Sequence, residues 1–298
     1  MGIDYHDARM LLEARLRGAS FENTATVAHL ALNLHPAEIA SLQRVYRAGV
    51  PGSTVRPLEN YRFGDYSDQF LGDALGVTAL TVIDYSPYQG ANLIHDLNQP
   101  VPEELWGRFD SIIEAGSLEH IFNFPVAITS LMKMVKVGGS LFITTPANNC
   151  CGHGFYQFSP EVMFRIFTQE NGFELKRVAF LEAAYPPVAL VPKRNAYEVA
   201  DPAQVRSRVG LVSNRPVMMM VEARKTSDVP LFARPPLQDS YVTLWNSGTA
   251  KSEPSRLERV LKSAIGKLPG NLEARIRGNR ALRRYSFSNG RFYKKLQW

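Results

Sequence analysis

Phe109–Phe158, FDSIIEAGSLEHIFNFPVAITSLMKMVKVGGSLFITTPANNCCGHGFYQF, is the stretch whose reading decides the fold. Phe109 to Ile113 is short and apolar and runs directly into Glu114, Gly116, Glu119 and His120, which makes it a strand with a polar exit. Pro125 to Val135 places Val126, Leu131, Met134 and Val135 near one face, the spacing of a helix packed on a sheet. Lys136, Gly138 and Gly139 then read as the end of that helix, because glycine accepts the left-handed turn that closes one. Ser140 to Thr144 is a second strand, stopped by Thr145-Pro146. Two strands joined through a helix require a right-handed crossover and parallel pairing. In an open parallel sheet ligands bind beyond the carboxyl ends of the strands, so function is expected at these two exits.

Composition sets the outer limits. The chain has 298 residues, 45% hydrophobic and 21% charged, ordinary values for a globular protein with a sizeable core. No apolar run approaches the roughly 20 residues that span a bilayer, and MGIDYHDARM does not read as a secretory signal. Cys150 and Cys151 are adjacent, which offers neither a useful cross-link nor a metal spacing. A cytoplasmic location is expected. Of the net charge of +6, Lys251 to Trp298 carry 13 Lys and Arg against 3 Glu, leaving −4 on residues 1–250. The body is mildly acidic and the tail basic.

Outward from the central stretch, residues 1–50 read as a helical lead-in. Met10, Leu11, Leu12, Ala14 and Leu16 are followed by Val27, Leu30, Ala31 and Leu34 at helix-compatible spacings, with a further helix from Pro36 to Tyr46. Gly49 to Tyr61 reads as a loop or a short, irregular first strand. Ser67 to Leu75 is a helix ending at Gly76, Val77 to Ile83 a strand ending at Asp84, and Ala91 to His95 a short strand leading to Asp96-Leu97-Asn98. Ser159 caps a helix from Pro160 to Glu170. Phe173 to Leu181 and Pro216 to Ala223 form an antiparallel pair around an insertion over 182–215. Val229 to Ser255 is a Pro-rich linker, and Ser255 to Leu268 and Leu272 to Arg284 form a basic, amphipathic tail. The domains expected are a helical cap over 1–50, a catalytic-type domain over 51–228, and linker plus tail over 229–298.

FDSIIEAGSLEHI followed by LMKMVKVGGSLFITTPANN resembles the fourth-strand and fifth-strand signatures of class I S-adenosylmethionine (SAM) dependent methyltransferases, in particular the branch with TPANN and GHGFYQFSPE after the fifth strand. The resemblance covers Phe63 to about Val178, and more weakly to Lys225. It implies an α/β, Rossmann-like seven-stranded sheet, SAM as cofactor, and a small-molecule or glycan acceptor. It also implies Asp84 as the acid that bridges the ribose hydroxyls, a task for a carboxylate because it accepts two hydrogen bonds at once. Asp96 and the Leu97 backbone would meet the adenine, and Glu114 and Gly116 would lie beside the cofactor. Bland readings stand next to these: Asp84 could merely start the Ser86-Pro87 turn, and Asp96 could be a turn cap.

Most family members carry an acid and a glycine cluster between first strand and first helix, because only glycine lets the backbone approach the methionine part of SAM. Here that place reads as Phe63-Gly64-Asp65-Tyr66-Ser67-Asp68, with one glycine. Either Gly64 and Asp65 hold the cofactor, or the chain is a methyltransferase-like binding or scaffold protein that has lost it.

Methyl transfer to a hydroxyl or a protonated amine needs a group to take a proton. His153, between Gly152 and Gly154, is the first candidate base and His120 the second, with Glu119 and Tyr156 beside them. A purely structural role for either histidine is the competing reading. Glu119, His120 and a downstream histidine also resemble the metal-ligand set of small-RNA 2'-O-methyltransferases, which have a second glutamate where this chain has Gly116. A metal is therefore not expected, and metal-assisted O-methylation stands as an alternative. Tyr185, Lys193, Arg194 and Tyr197 of the insertion are candidate substrate contacts. The basic tail could engage an anionic membrane at its inner face, or dock on its own domain. No motif supports nucleic-acid binding.

Overall fold

The computed structural model describes residues 2–49, 58, 60–182, 195–246, 263 and 270–298. The chain opens with β1 (Gly2–Ile3) and α1 (Tyr5–Leu16), whose first turn is closed by a capping box between Asp4 and Asp7. Then come β2 (Asn23–Val27), β3 (Ala31–Leu32), α2 (Pro36–Gly49), α3 (Asp68–Phe70) continued by a π-turn over Leu71–Leu75, β4 (Ala79–Asp84) and β5 (Leu93–Ile94). The central stretch supplies β6 (Phe109–Ala115), α4 (Phe124–Met134) and β7 (Val135–Asn148). After it follow α5 (Pro160–Ile166), β8 (Phe173–Glu182), β9 (Ala196–Val199), α6 (Pro202–Val205), β10 (Val217–Lys225), α7 (Asp239–Asn246), α8 (Gly270–Arg284) and β11 (Tyr293–Lys295).

Among the described residues one sheet holds nine strands in the order β11-β9-β8-β10-β7-β6-β2-β4-β5, and β1 and β3 pair separately. From β7 to β5 the pairing is parallel, whereas β10, β8, β9 and β11 pair antiparallel. This is the Rossmann-like α/β class, with two strands beyond the seven expected. The order reverses at β2, between β4 and β6, where the exits of the parallel strands form a crevice. Apolar clusters cover both faces. Ile112, Leu131, Met134 and Leu141 belong to one; Leu11, Leu42, Ile113 and Phe142 belong to the other, beneath α1 and α2.

The structure corrects three expectations. First, residues 1–50 are not all helical, because Asn23–Val27 is the central strand, paired with both β4 and β6. Thr24, Ala25, Thr26 and Val27 are buried on both faces of the sheet, and Thr24 Oγ1 donates to the Phe21 carbonyl at 2.7 Å. β-Branched residues suit that position. Second, Gly138 and Gly139 do not end the helix: α4 stops at Met134 and β7 begins at once. Gly139 is needed because a Cβ there would stand 2.5 Å from the Asp110 carbonyl oxygen of the adjacent strand. Likewise α5 ends at Ile166 rather than Glu170. Third, the basic tail is no loose appendage. β11 pairs with β9, and Phe292 and Tyr293 are buried in the main core. The segment 255–268, except residue 263, lies outside the described residues, as do Tyr185, Lys193 and Arg194. Among described residues, no helix is long and apolar enough to cross a membrane.

Candidate active site

At the exit of β6 the chain turns sharply through Gly116, at φ +96°, into a 3-10 turn over Leu118–His120. Glu114 closes this turn: its Oε1 accepts from the backbone N–H of Ser117 and, at 3.1 Å, of Leu118. Its Oε2 is buried without a hydrogen-bond partner. Burial first, and the nearby Glu119 charge second, push this carboxyl up to about 8.

Glu119 is fully buried. Thr145, on the β7 exit, donates its hydroxyl to Glu119 Oε2 at 3.1 Å. The other oxygen, Oε1, lies 3.3 Å from His153 Nε2, close enough for an ion pair although not aligned as a hydrogen bond. Desolvation raises the Glu119 carboxyl above its ordinary range, while the Thr145 hydroxyl and the two histidines pull it back down. The His120 ring stands 5.3 Å from that of His153. Ligand-capable atoms of Glu119, His120 and His153 all lie within 4.8 Å of one another.

The loop after β7 is tied to this turn by its backbone. Phe155 and Tyr156 N–H groups both donate to the Glu119 carbonyl, at 2.7 and 3.2 Å. Gly154, at φ +78°, allows that approach, since a Cβ would sit 2.7 Å from the same carbonyl oxygen. The glycine thus seats the loop against the Glu119 turn. Tyr156 donates its phenol to the Phe122 carbonyl at 2.7 Å, a brace across the mouth of the site.

The neighbouring exits differ. Asp84, at the end of β4, is partly buried, and its Oδ1 accepts from Tyr85 N–H at 2.6 Å. Asp96 is also partly buried and caps its own turn, its Oδ1 accepting from the Asn98 backbone and side chain, both at 2.9 Å; those bonds hold its carboxyl below the usual range. Leu97 is in the core. Gly64 and Asp65 are in a turn paired to Leu32, with Gly64 N–H donating to the Leu32 carbonyl and Leu32 N–H to that of Asp65. Tyr197 is in β9, stacked 4.1 Å from Phe287.

The loop that leaves the first strand of the sheet is not Phe63–Asp68 but Ala28-His29, and Ala28 takes the left-handed φ of +65° that a glycine would favour. His29 then spans the crevice. Its Nδ1 is 2.6 Å from the Gln89 carbonyl and its Nε2 2.8 Å from Asp68 Oδ1, and its ring stacks on Tyr66 at 3.5 Å. Ser117 Oγ donates to the Val27 carbonyl at 3.3 Å and joins this exit to that of β6. Sequence reasoning missed His29 because the helical spacing of Val27 to Leu34 hid the strand. It missed Thr145 because that residue read only as a strand stop; its alternation with Thr144, which bonds Asp7 on the opposite face, was the available signal.

No family model matches the sequence, and no curated protein does. Solved structures with a similar course of chain include a putative methyltransferase from Bacillus halodurans C-125, at 13% identity over 74% of this chain and 100% of the other, with a TM-score of 0.39. The N-methyltransferase NodS from Bradyrhizobium japonicum WM9 is similar at 14% identity over 74% of this chain and 96% of its own, TM-score 0.37. The methyltransferase CalH, solved with SAH, is similar at 12% over 74% and 57%, TM-score 0.36. At such values they bear on no residue role, and the fold assignment stands on the strand order.

Proposed function

We propose that the protein is a SAM-dependent methyltransferase acting on a hydroxyl or amine of a small-molecule or glycan acceptor. The observation that carries this reading is the buried Glu119 carboxylate, held by Thr145 on one side and facing His153 on the other, at the strand exits beside the crevice. Asp84 suits the cofactor: hydrogen bonding to Tyr85 engages Oδ1, and Oδ2 is the oxygen left to face a ribose diol. When bound, SAM supplies a methyl group on a sulfonium, which leaves as a neutral thioether. Glu119 beside Nε2 favours the tautomer with hydrogen on Nε2, so Nδ1 of His153 is the nitrogen that takes the acceptor's proton. Glu119, the carboxylate that this ring faces, is buried together with Glu114 and Thr145.

Titration calorimetry with SAM and with S-adenosylhomocysteine tests the reading. Micromolar binding of both is expected, and absence of binding by the folded chain would leave a scaffold. With an acceptor found by screening for S-adenosylhomocysteine release, His153→Ala should lower turnover about a hundredfold and leave cofactor affinity within about twofold. Equal losses in both would make His153 a pocket-shaping residue.

A second reading has its own observation. The Glu119, His120 and His153 atoms are spaced to hold one divalent cation, and Glu119 Oε1 is buried without a hydrogen bond. Two imidazoles and a carboxylate suit a transition metal, whose Lewis acidity would polarise an acceptor hydroxyl. Cobalt(II) absorption and metal-dependent thermal stabilisation, both lost in His120→Ala, are the outcomes expected of that variant of the reaction.

A further inference from the structure

Phe122 and Phe155 are 72% and 69% exposed, although burial of a phenylalanine ring is favourable. Scattered exposed aromatics need no explanation, but these two are paired. Their rings stand edge to face, with centroids 6.1 Å apart and an interplanar angle of 86°. Each lies two residues beyond a histidine of the site: Phe122 after His120, and Phe155 after His153. Both are fixed by bonds to the machinery itself. Phe155 N–H donates to the Glu119 carbonyl at 2.7 Å, and the Tyr156 phenol donates to the Phe122 carbonyl at 2.7 Å. A rigid apolar corner therefore stands at the rim of the Glu119–His153 pair.

We infer that the Phe122–Phe155 corner is the acceptor platform, and that the acceptor is a six-membered ring stacked by its apolar face with a hydroxyl on its edge turned toward His153. The inference rests on the methyltransferase reading. Two rings at right angles offer a face and an edge at once, the arrangement aromatic side chains use to seat a flat partner. The polar edge of such a partner then meets the histidines, while an extended alkyl chain would gain little from the corner. Pyranosides and phenols share this shape and differ in the ring face they present.

The experiment is saturation-transfer NMR on the full-length protein with methyl α-D-glucopyranoside, catechol and the acyclic polyol sorbitol, each with and without S-adenosylhomocysteine. At least one ring compound should receive saturation on its ring protons, and sorbitol should receive none. Phe122→Ala and Phe155→Ala should each weaken that ring compound's binding about tenfold, and Trp106→Ala, at the entry end of β6, should leave it unchanged. The pyranoside alone would assign a sugar acceptor, and catechol alone an aryl one. Binding unaffected by either phenylalanine variant, or no ring binding in a protein that binds S-adenosylhomocysteine, overturns the platform and leaves the methyltransferase reading standing. Ring binding lost in the phenylalanine variants of a protein that does not bind S-adenosylhomocysteine upholds the corner as a ring site and overturns the reaction.

Discussion

At the exits of β6 and β7 the polar groups converge on one another across strands: Thr145 holds Glu119, Glu119 faces His153, and His120 stands beside it. At the exits of β2, β4 and β5 the polar groups turn back onto their own surroundings. His29 bridges Gln89 and Asp68, and Asp96 is occupied by Asn98. Of the cofactor candidates there, Asp84 and Asp96 each have one carboxylate oxygen, Oδ1, engaged by the chain next to it. The first region is preorganised in the sense that its groups already face one another across strands. The second can receive a cofactor through Asp84 only if its bracing allows.

The largest expected effect lies beneath the first region. With its carboxyl raised from 4.5 in the unfolded chain to about 8 in the fold, Glu114 holds a proton in the native state that the unfolded chain releases. Its contribution to stability is complete below about pH 4.5 and is lost as the pH rises through 8. The bound set by that shift is roughly 5 kcal/mol, at 1.36 kcal/mol per pKa unit. Melting temperature should fall from pH 5 to pH 9, and Glu114→Gln, which mimics the protonated form, should flatten that fall. A slope unchanged in Glu114→Gln would mean that the charge-sensitive group under this exit is another.

Next in size is Asp84→Ala. A charge-assisted hydrogen bond is worth roughly 1.5–3 kcal/mol, so loss of one or two should weaken SAM binding by tenfold to well over a hundredfold. Calorimetry on the folded variant checks it. An unchanged dissociation constant would remove Asp84 from the cofactor site.

What could be read in the sequence follows the same divide. β6, α4 and the middle of β7 were legible because apolar runs and a helical face agree with one another; Thr145-Pro146, expected to stop the second strand, instead lies inside β7, which runs on to Asn148. β2 was not, because the alternation in Thr24-Ala25-Thr26-Val27 is only four residues long, and Val27, Leu30, Ala31 and Leu34 happen to repeat at helical intervals. Glycine misled at Gly139, where contact with the Asp110 carbonyl, and not a helix end, demands it. The tail's role in the sheet was hidden because Phe292-Tyr293 is a short apolar pair within a basic stretch. The loop after the first strand of the sheet was therefore placed at Phe63–Asp68 instead of Ala28-His29, and His29 escaped notice.

Glu119→Gln probes the first region more gently than removal of the base. The amide keeps the shape and an acceptor for Thr145 but withdraws the charge facing His153. Turnover should fall about tenfold, less than the loss of a general base itself costs, with the acceptor KM unchanged. A rise in KM without loss of turnover would make Glu119 a shaping residue and weaken the contrast between the two regions.

The smallest effect expected is at His29, and it bears most directly on whether the second region is closed or ready. Both ring nitrogens face acceptors, the Gln89 carbonyl and the Asp68 carboxylate, so the full bridge needs a hydrogen on each nitrogen. His29→Phe keeps a ring to stack on Tyr66 and removes both hydrogen bonds; His29→Ala removes the stack as well. If the bridge must open before S-adenosylhomocysteine enters, both variants should bind it about two- to fivefold tighter, the equivalent of one ordinary hydrogen bond of roughly 0.5–1 kcal/mol no longer broken. Equal affinity in all three proteins would place the bridge outside the cofactor's path. Weaker binding in both would make His29 a cofactor contact, and the second region would then be as preorganised as the first, with the imidazole serving where the family resemblance implies glycine.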